Sequence, residues 1–186
     1  IQCTINAGAI PPDSWIQDPS VGGGRIVGEA CHFIDLIRYL TGSPIVSVYA
    51  NQVLNAGDGI NSDKATITLK CEDGSLGVVN YWATGASNYP KEQIECFADG
   101  MVFRVDNFRR TQAWGCKTFS KHSTFRQDKG HAVEFRKVGE AVSKALPSPI
   151  PFNETVEVTL ASFATVESAA SGQPQMMSDW IAKLDS

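Results

Sequence analysis

The sequence predicts an α+β domain with an open-faced, predominantly antiparallel β-sheet and helices packed on one face of it. A chain of 186 residues, of which 42% are hydrophobic, is long enough to bury one substantial core. Residues 45–119 alternate with a period of two, whereas helical periodicity is confined to the segments on either side. Strands grouped together with helices outside them are typical of the α+β class.

The first 42 residues predict a strand, a long loop and a helix. Apolar residues alternate in residues 1–8, and residues 9–24 are rich in the turn formers Pro, Gly, Asp and Ser. A loop of this length favours a functional role over a simple connection. Helical spacing then predicts a helix from about Glu29 to Leu40, which ends at Gly42.

The middle of the chain predicts a meander of about six strands. The turn pairs Asp73-Gly74 and Asp99-Gly100 are hairpin signals because glycine supplies a positive φ. Apolar residues occur at both parities in some strands, so we expect the open face of the sheet to bind a second subunit or domain, most simply as a homo-oligomer. The predicted strands are 45–54, 63–71, 75–83, 92–98, 101–108 and 111–119.

Two further helices are predicted in the last third of the chain. The first covers 127–146, where Asp128 is the expected N-cap, and the second covers 153–172, with Asn153 as the expected N-cap. Between them lies a proline-rich loop.

Composition excludes several classes of function. The net charge is −4, and Lys and Arg are scattered along the sequence, so we expect no nucleic-acid partner. We also expect no membrane span and no signal peptide. Five cysteines without CxxC spacing argue against a disulfide framework and a metal site, and reduced thiols fit the cytoplasm. Because the chain begins at Ile1, we expect a domain excised from a longer protein.

The most informative chemistry lies in residues 22–40. Glu29, His32 and Asp35 are three residues apart, so a helix places them on one face with an imidazole between two carboxylates. Such an arrangement moves a proton on or off a hydroxyl group near neutral pH. The alternative is a helix start with acidic residues and an incidental histidine. The triple glycine before the helix favours ligand binding, because it lets a ligand approach the backbone.

Other candidates are weaker. Lys129 lies next to the predicted helix start with His131, and the alternative interpretation is a solvated capping segment. Trp15 either closes over a ligand or packs under its own loop. The glycines do not form a dinucleotide fingerprint, because the spacing is only approximate and no βαβ unit surrounds them.

These segments together resemble a known family. The stretch GGGRIVGEACHFIDLIRYLTG is similar to the G-G-G…H-x-x-D-L segment of the Gfo/Idh/MocA oxidoreductases, named for glucose-fructose oxidoreductase and inositol dehydrogenase. INAG and PPDSW before it, and QDKGHAVEF, PSPIPFNE and ATVESAASGQP after it, extend the resemblance over the whole chain. The chain most resembles bi-domain members that act on sugars or sugar derivatives.

The resemblance implies a glyceraldehyde-3-phosphate dehydrogenase-like C-terminal domain, covering 1–186, which binds a carbohydrate-type substrate and forms oligomer contacts. A separate N-terminal Rossmann domain, absent from this chain, binds NAD or NADP in the family and carries a catalytic lysine. His32 matches the family histidine that assists proton transfer, and Asp35 matches an acidic position that contacts substrate hydroxyls. Many members have an aspartate four residues before the histidine, where this chain has Gly28.

We therefore expect half of an alcohol-to-ketone redox centre. His32 is the predicted acid/base and Glu29 its orienting partner, while Asp35, Trp15, Asn6 and Lys129 are predicted to bind substrate. One alternative is a non-catalytic sugar-binding or dimerisation module, because Gly28 replaces the usual acid. Another is a hydrolase or isomerase that uses Glu29 and His32 without a nucleotide.

Overall fold

A computed structural model describes residues 1–11, 13–18, 20–53 and 63–184. Pro12 and Pro19 of the predicted loop, and Leu54 at the end of a predicted strand, lie outside the described residues. Within these ranges the strands are β1 Gln2–Asn6, β2 Ile45–Gln52, β3 Lys64–Cys71, β4 Leu76–Trp82, β5 Glu92–Ala98, β6 Met101–Asp106, β7 Arg110–Trp114, β8 Lys121–Ser123 and β9 Gln175–Met176. The α-helices are α1 Cys31–Thr41, α2 His131–Ser143, α3 Phe152–Ser171 and α4 Met177–Ala182.

The described strands form one sheet in the order β8-β7-β6-β5-β1-β4-β3-β2-β9. Strand β1 lies in the middle, parallel to β4 and antiparallel to β5, and the other neighbouring pairs are antiparallel. Helices α1 and α3 pack together, and α3 also packs on β2. The predicted α+β fold class is confirmed.

The core lies between the sheet and these two helices. It takes alternate residues of the strands, among them Ile67 and Val79, and the inward face of α1, among them Ile34 and Ile37; all four are 0% exposed. Gly77 of β4 lies directly beneath Ile37, where a Cβ atom would come within 2.5 Å of its Cγ2. The small residue therefore sets how closely α1 approaches the sheet.

The helix that carries the candidate site begins earlier than the sequence predicts. Right-handed helical backbone starts at Arg25, which has φ −75° and ψ −19°, not at Glu29, and a π-helical turn, Ile26–Ala30, runs directly into α1. The prediction was wrong because it assigned residues 25–28 to the loop, whereas the loop ends at Gly23 and Gly24, whose φ values are positive. The predicted end is confirmed: Gly42 has φ +65° and its N–H donates to the carbonyl of Arg38.

Helix caps also differ from the predictions. Pro151, not Asn153, precedes α3, and its carbonyl accepts the N–H of Glu154. Proline fits this position because a helix start leaves its first N–H groups unpaired. Asp128 does not cap α2, which follows Gly130; the Asp128 carboxylate accepts the Gly130 N–H in a local turn (2.9 Å).

The outer strands lie farther from the helices. Of the residues of α2, only Ala141 is buried, while Phe135 and Val142 are 76% and 79% exposed.

Basic side chains are also less scattered than the sequence predicts, since a surface hollow at the β7–β8 edge is lined by Arg110, Lys121 and His122. Lysine on a short edge strand discourages pairing with another chain.

Two further findings concern membrane spans and disulfide bonds. No helix in the described ranges is long and apolar enough to cross a membrane. All five cysteines are free, which confirms that the chain has no disulfide framework.

Candidate functional site

A cavity of about 660 Å³ opens beside the N-terminal half of α1. Its other walls come from the start of β5, the turn between β6 and β7, and the segment that leads into α2. Four of the predicted residues line it: Glu29, His32, Asp35 and Lys129. The fold thus brings the helix residues Glu29, His32 and Asp35 into the same cavity as Lys129, although Lys129 is almost 100 positions away in the sequence.

His32 and Asp35 are exposed side chains one helical turn apart in the cavity wall. Partial burial raises the pKa of Asp35 above its ordinary value, and the neighbouring His32 opposes this rise. This pair has the chemistry needed to accept a proton from a hydroxyl group at the cavity surface.

Glu29 points toward the sheet, where three donors surround its carboxylate. Oε2 accepts hydrogen bonds from the Tyr81 hydroxyl at 2.6 Å and from Arg25 Nη2 and Nε at 2.8 and 3.2 Å. Oε1 accepts from Lys91 Nζ at 3.1 Å. Burial by itself raises the pKa of Glu29, but the bonds from Tyr81, Arg25 and Lys91 outweigh it and lower the pKa to about 2.

These hydrogen bonds give Glu29 a different role from the one the sequence predicts. No hydrogen bond joins it to His32 within the described part of the chain, so the predicted orienting contact is not formed. The reason is the competition for its oxygens, because a guanidinium, an ammonium and a phenol all donate hydrogen bonds to them. Any role of Glu29 in proton transfer stays a prediction.

Arg25 is a residue that the sequence reasoning missed. It is 5% exposed, and its guanidinium lies 5.4 Å from the centre of the Tyr81 ring. Besides Glu29 it donates to the Gly8 carbonyl at 2.6 Å, which ties the loop after β1 to the start of the helix. The i, i+4 spacing of Arg25 and Glu29 was the available signal.

A second ion pair forms the cavity floor. Glu92, 3% exposed, accepts a hydrogen bond from Lys129 Nζ at 2.5 Å. Lys129 also lies over the Phe108 ring, 5.6 Å from its centre. Lys91, just before β5, therefore binds Glu29 of the π-helical turn, whereas the adjacent Glu92 binds Lys129 of the segment before α2. Neither Lys91 nor Glu92 was predicted from the sequence.

Two predicted substrate-binding residues lie elsewhere. Asn6 does not line the cavity; its Nδ2 donates to the carbonyl of Ala86 at 2.7 Å, and its buried Oδ1 has no hydrogen-bond partner among the described residues. A Cβ atom on Gly85 would lie 1.9 Å from that oxygen, so the amide is packed tightly against the loop between β4 and β5. Trp15 is 66% exposed on a turn away from the cavity.

The triple glycine is explained by the chain's own backbone. A Cβ atom on Gly22 would lie 2.5 Å from both the Cα of Ile16 and the carbonyl oxygen of Trp15. Gly23 and Gly24 have positive φ values of +68° and +83°. The expected approach of a ligand to these glycines is therefore not needed to account for them.

The described residues do not provide a dinucleotide site. The one parallel pair in the described sheet, β1 and β4, is connected through α1, β2 and β3, so no βαβ unit is present there. Nor do any three His, Cys, Asp or Glu side chains of the described ranges come together as a metal site. What the described residues do contribute is a set of polar groups around one cavity.

Comparison with known proteins identifies the family. The sequence profile of the GFO/IDH/MocA C-terminal domain matches residues 1–104, more than half of the chain. The chain belongs to the Gfo/Idh/MocA family. This confirms the resemblance found in the sequence.

Relatives in the Gfo/Idh/MocA family are longer than this chain. It is 29% identical over 119 residues to myo-inositol 2-dehydrogenase of Thermotoga maritima, covering 60% of this chain and 33% of that protein. It is 24% identical over 179 residues to the oxidoreductase YrbE of Bacillus subtilis, covering 88% of this chain and 50% of that protein. The chain thus spans a third to a half of the curated relatives it matches.

A solved structure shows the same fold. An NAD binding oxidoreductase from Klebsiella pneumoniae superimposes with a TM-score of 0.77 at 15% identity, over 95% of this chain and 57% of that one. At this identity the similarity concerns the fold of the Gfo/Idh/MocA C-terminal domain.

Proposed function

We propose that residues 1–186 form the substrate-side domain of an NAD(P)-dependent oxidoreductase that interconverts an alcohol and a ketone on a sugar, a polyol or a sugar derivative. The observation that carries this proposal is the His32–Asp35 pair, which is exposed on α1 in a cavity that several charged side chains line. The name of the inositol dehydrogenase relative supports a polyhydroxylated substrate.

In this proposal His32 accepts the proton of the substrate hydroxyl during oxidation and returns it during reduction. Asp35 stabilises the imidazolium and accepts a hydrogen bond from a second hydroxyl. Glu29, ionised because its pKa is about 2, fixes the ammonium of Lys91 at the cavity wall. Lys129, fixed by Glu92, supplies a further donor on the opposite side.

The nucleotide half is proposed to lie in an N-terminal Rossmann domain of a longer protein. NAD or NADP bound there removes or delivers hydride at the carbon that bears the reacting hydroxyl. The NAD binding relative with this fold supports that cofactor class. Cytoplasmic location and homo-oligomerisation through the open sheet face stay predictions.

A second candidate is a sugar-binding or dimerisation module without catalysis. It is favoured by Gly28, which is exposed and occupies the position where many members have an acid. A Cβ atom on Gly28 would come no closer than 4.0 Å to its described surroundings, so space does not exclude a side chain there. The cofactor-independent hydrolase or isomerase is disfavoured, because a carboxyl with a pKa of about 2 is a poor proton carrier near neutral pH.

The first test is an NMR titration of the 186-residue chain with myo-inositol and the methyl glycosides of glucose and galactose. We expect shifts at His32, Asp35 and Lys129 with at least one of them. Shifts that occur only outside the cavity would contradict the proposed site.

The second test uses the protein carrying its nucleotide-binding domain. His32→Gln should lower kcat about 10²- to 10⁴-fold, the usual contribution of a general acid/base, while sugar affinity changes little. His122→Gln on β8, outside the cavity, is the matched control and should leave kcat unchanged. Unchanged turnover in His32→Gln with weaker sugar binding would favour the binding module.

A further inference from the structure

A second cavity, of about 760 Å³, adjoins the candidate site along α1. It lies beside the C-terminal half of the helix and over the middle of β5 and β6, and its walls are mainly apolar. Leu40, Ile94, Cys96, Phe103 and Val105 contribute to them. Side chains of this kind bind hydrocarbon and offer little to a free sugar.

The two cavities are parts of one groove. Leu36 and Phe108 line both of them. On β5, Glu92 lines the candidate site, while Ile94 and Cys96, two and four residues further along the strand, line the second cavity. Residues at this spacing share one face of a strand, so the floor passes from charged to apolar without changing sides.

The junction between the cavities is held rigidly. Asn107 and Phe108, in the turn between β6 and β7, have φ values of +51° and +49°, which non-glycine residues rarely adopt. Hydrogen bonds fix both: the Asn107 N–H donates to the carbonyl of Glu92 at 2.7 Å, and the Phe108 carbonyl accepts the Asp128 N–H at 3.0 Å. Strained backbone of this kind persists where surrounding contacts hold it in place, and it is common in ligand sites.

We propose that the groove binds an amphipathic substrate, with a sugar or polyol head at His32 and an apolar group, attached to that head, in the cavity beyond Leu36 and Phe108. This inference rests on the proposed function of the first cavity. Continuity of the two cavities favours one bound molecule over two separate ligands. Along the helix, His32 and Leu40 are about 12 Å apart, which suits a sugar ring carrying a short chain or an aromatic aglycone.

The test compares methyl and hexyl β-glycosides of glucose and of galactose, titrated into the 186-residue chain below the concentration at which the hexyl compounds form micelles. Each fully buried methylene gives about a fourfold gain in affinity. Because one side of the cavity is open, we expect at least about a tenfold gain from the five added methylenes. Nuclear Overhauser contacts should join the hexyl protons to the Val105 methyl groups.

Leu40→Gln should reduce this gain to less than about threefold and leave the affinity for the methyl glycosides unchanged. Val138→Gln on α2 is the matched control, since Leu40 and Val138 are both 45% exposed and Val138 lines neither cavity. If Leu40→Gln fails to fold, the nuclear Overhauser contacts between the hexyl protons and Val105 in the unsubstituted chain are the test. Their presence supports the proposal, and their absence contradicts it.

Three results would overturn the inference. One is that the methyl glycosides bind at His32 and the hexyl chain adds no affinity; the proposed function would then still stand. Another is that Val138→Gln abolishes the gain in affinity, which would place the hexyl chain on the exposed face of α2. The third is binding of hexanol and hexyl glycosides with equal affinity and no shift at His32, which also removes the proposed sugar site.

Discussion

Replacing Glu29 by glutamine tests the electrostatic centre of the site. The substitution keeps size and shape but removes the charge that faces Arg25, Tyr81 and Lys91. The step from an ordinary pKa of 4.5 to about 2 corresponds to about 3 kcal/mol of stability at neutral pH. Breaking a buried ion pair by removing one partner costs a similar amount, about 3–5 kcal/mol. Since the Glu29 side chain is 26% exposed, we expect about 2–3 kcal/mol.

The sign of the pH dependence follows from the lowered pKa. A carboxyl that is more acidic in the folded state stabilises the fold above its unfolded pKa and loses that contribution as the pH falls through the folded value. The stability gap between the native chain and Glu29→Gln should therefore be complete above about pH 5 and shrink between pH 4.5 and 2.

Urea denaturation at several pH values, followed by circular dichroism, measures this gap. Glu134→Gln is the control, because Glu134 is exposed on the wall of the same cavity, and we expect it to change the free energy of unfolding by less than about 0.5 kcal/mol. A gap of less than 1 kcal/mol at pH 7, or one that widens toward pH 3, would refute the reasoning.

Four further substitutions test the packing around the site. Gly22→Ala should destabilise the chain by about 1–3 kcal/mol, because its Cβ would meet backbone atoms at 2.5 Å, whereas Gly28→Ala, with open space around it, should be neutral or stabilising by up to about 1 kcal/mol. Arg38→Ala should cost about 3–5 kcal/mol, because it leaves the Glu157 carboxylate, now bonded to Arg38 Nε at 3.1 Å, buried without its cation. Gly77→Ala should cost about 1–3 kcal/mol by pushing α1 off the sheet.

Thermal and denaturant unfolding measure the stabilities of all four variants. Equal stabilities of Gly22→Ala and Gly28→Ala would contradict the backbone explanation of the triple glycine. A loss below 1 kcal/mol in Arg38→Ala or Gly77→Ala would show that the helix relaxes around the change.

Local patterns predicted most of the elements correctly. Turn pairs and the period of two placed six strands between residues 45 and 119, because strand alternation and hairpin chemistry act over a few neighbouring positions. Helix starts were predicted less well, as Gly24 and Pro151 show, since caps depend on backbone conformation that several residue types can adopt. Helix α4, only six residues long, is too short to show a helical period and was missed.

The sequence by itself determined the α+β class and the presence of His32 and Asp35 on one helical turn, both of which follow from spacing along the chain. Its motifs also showed the resemblance to the Gfo/Idh/MocA family. Only the tertiary structure decided which groups share the cavity. Glu29 meets Tyr81 and Lys91, which are 52 and 62 positions away, because the order of strands in the sheet brings β4 and β5 beside α1. Spacing rules act over about one helical turn or one strand, and they carry no information about contacts across such distances.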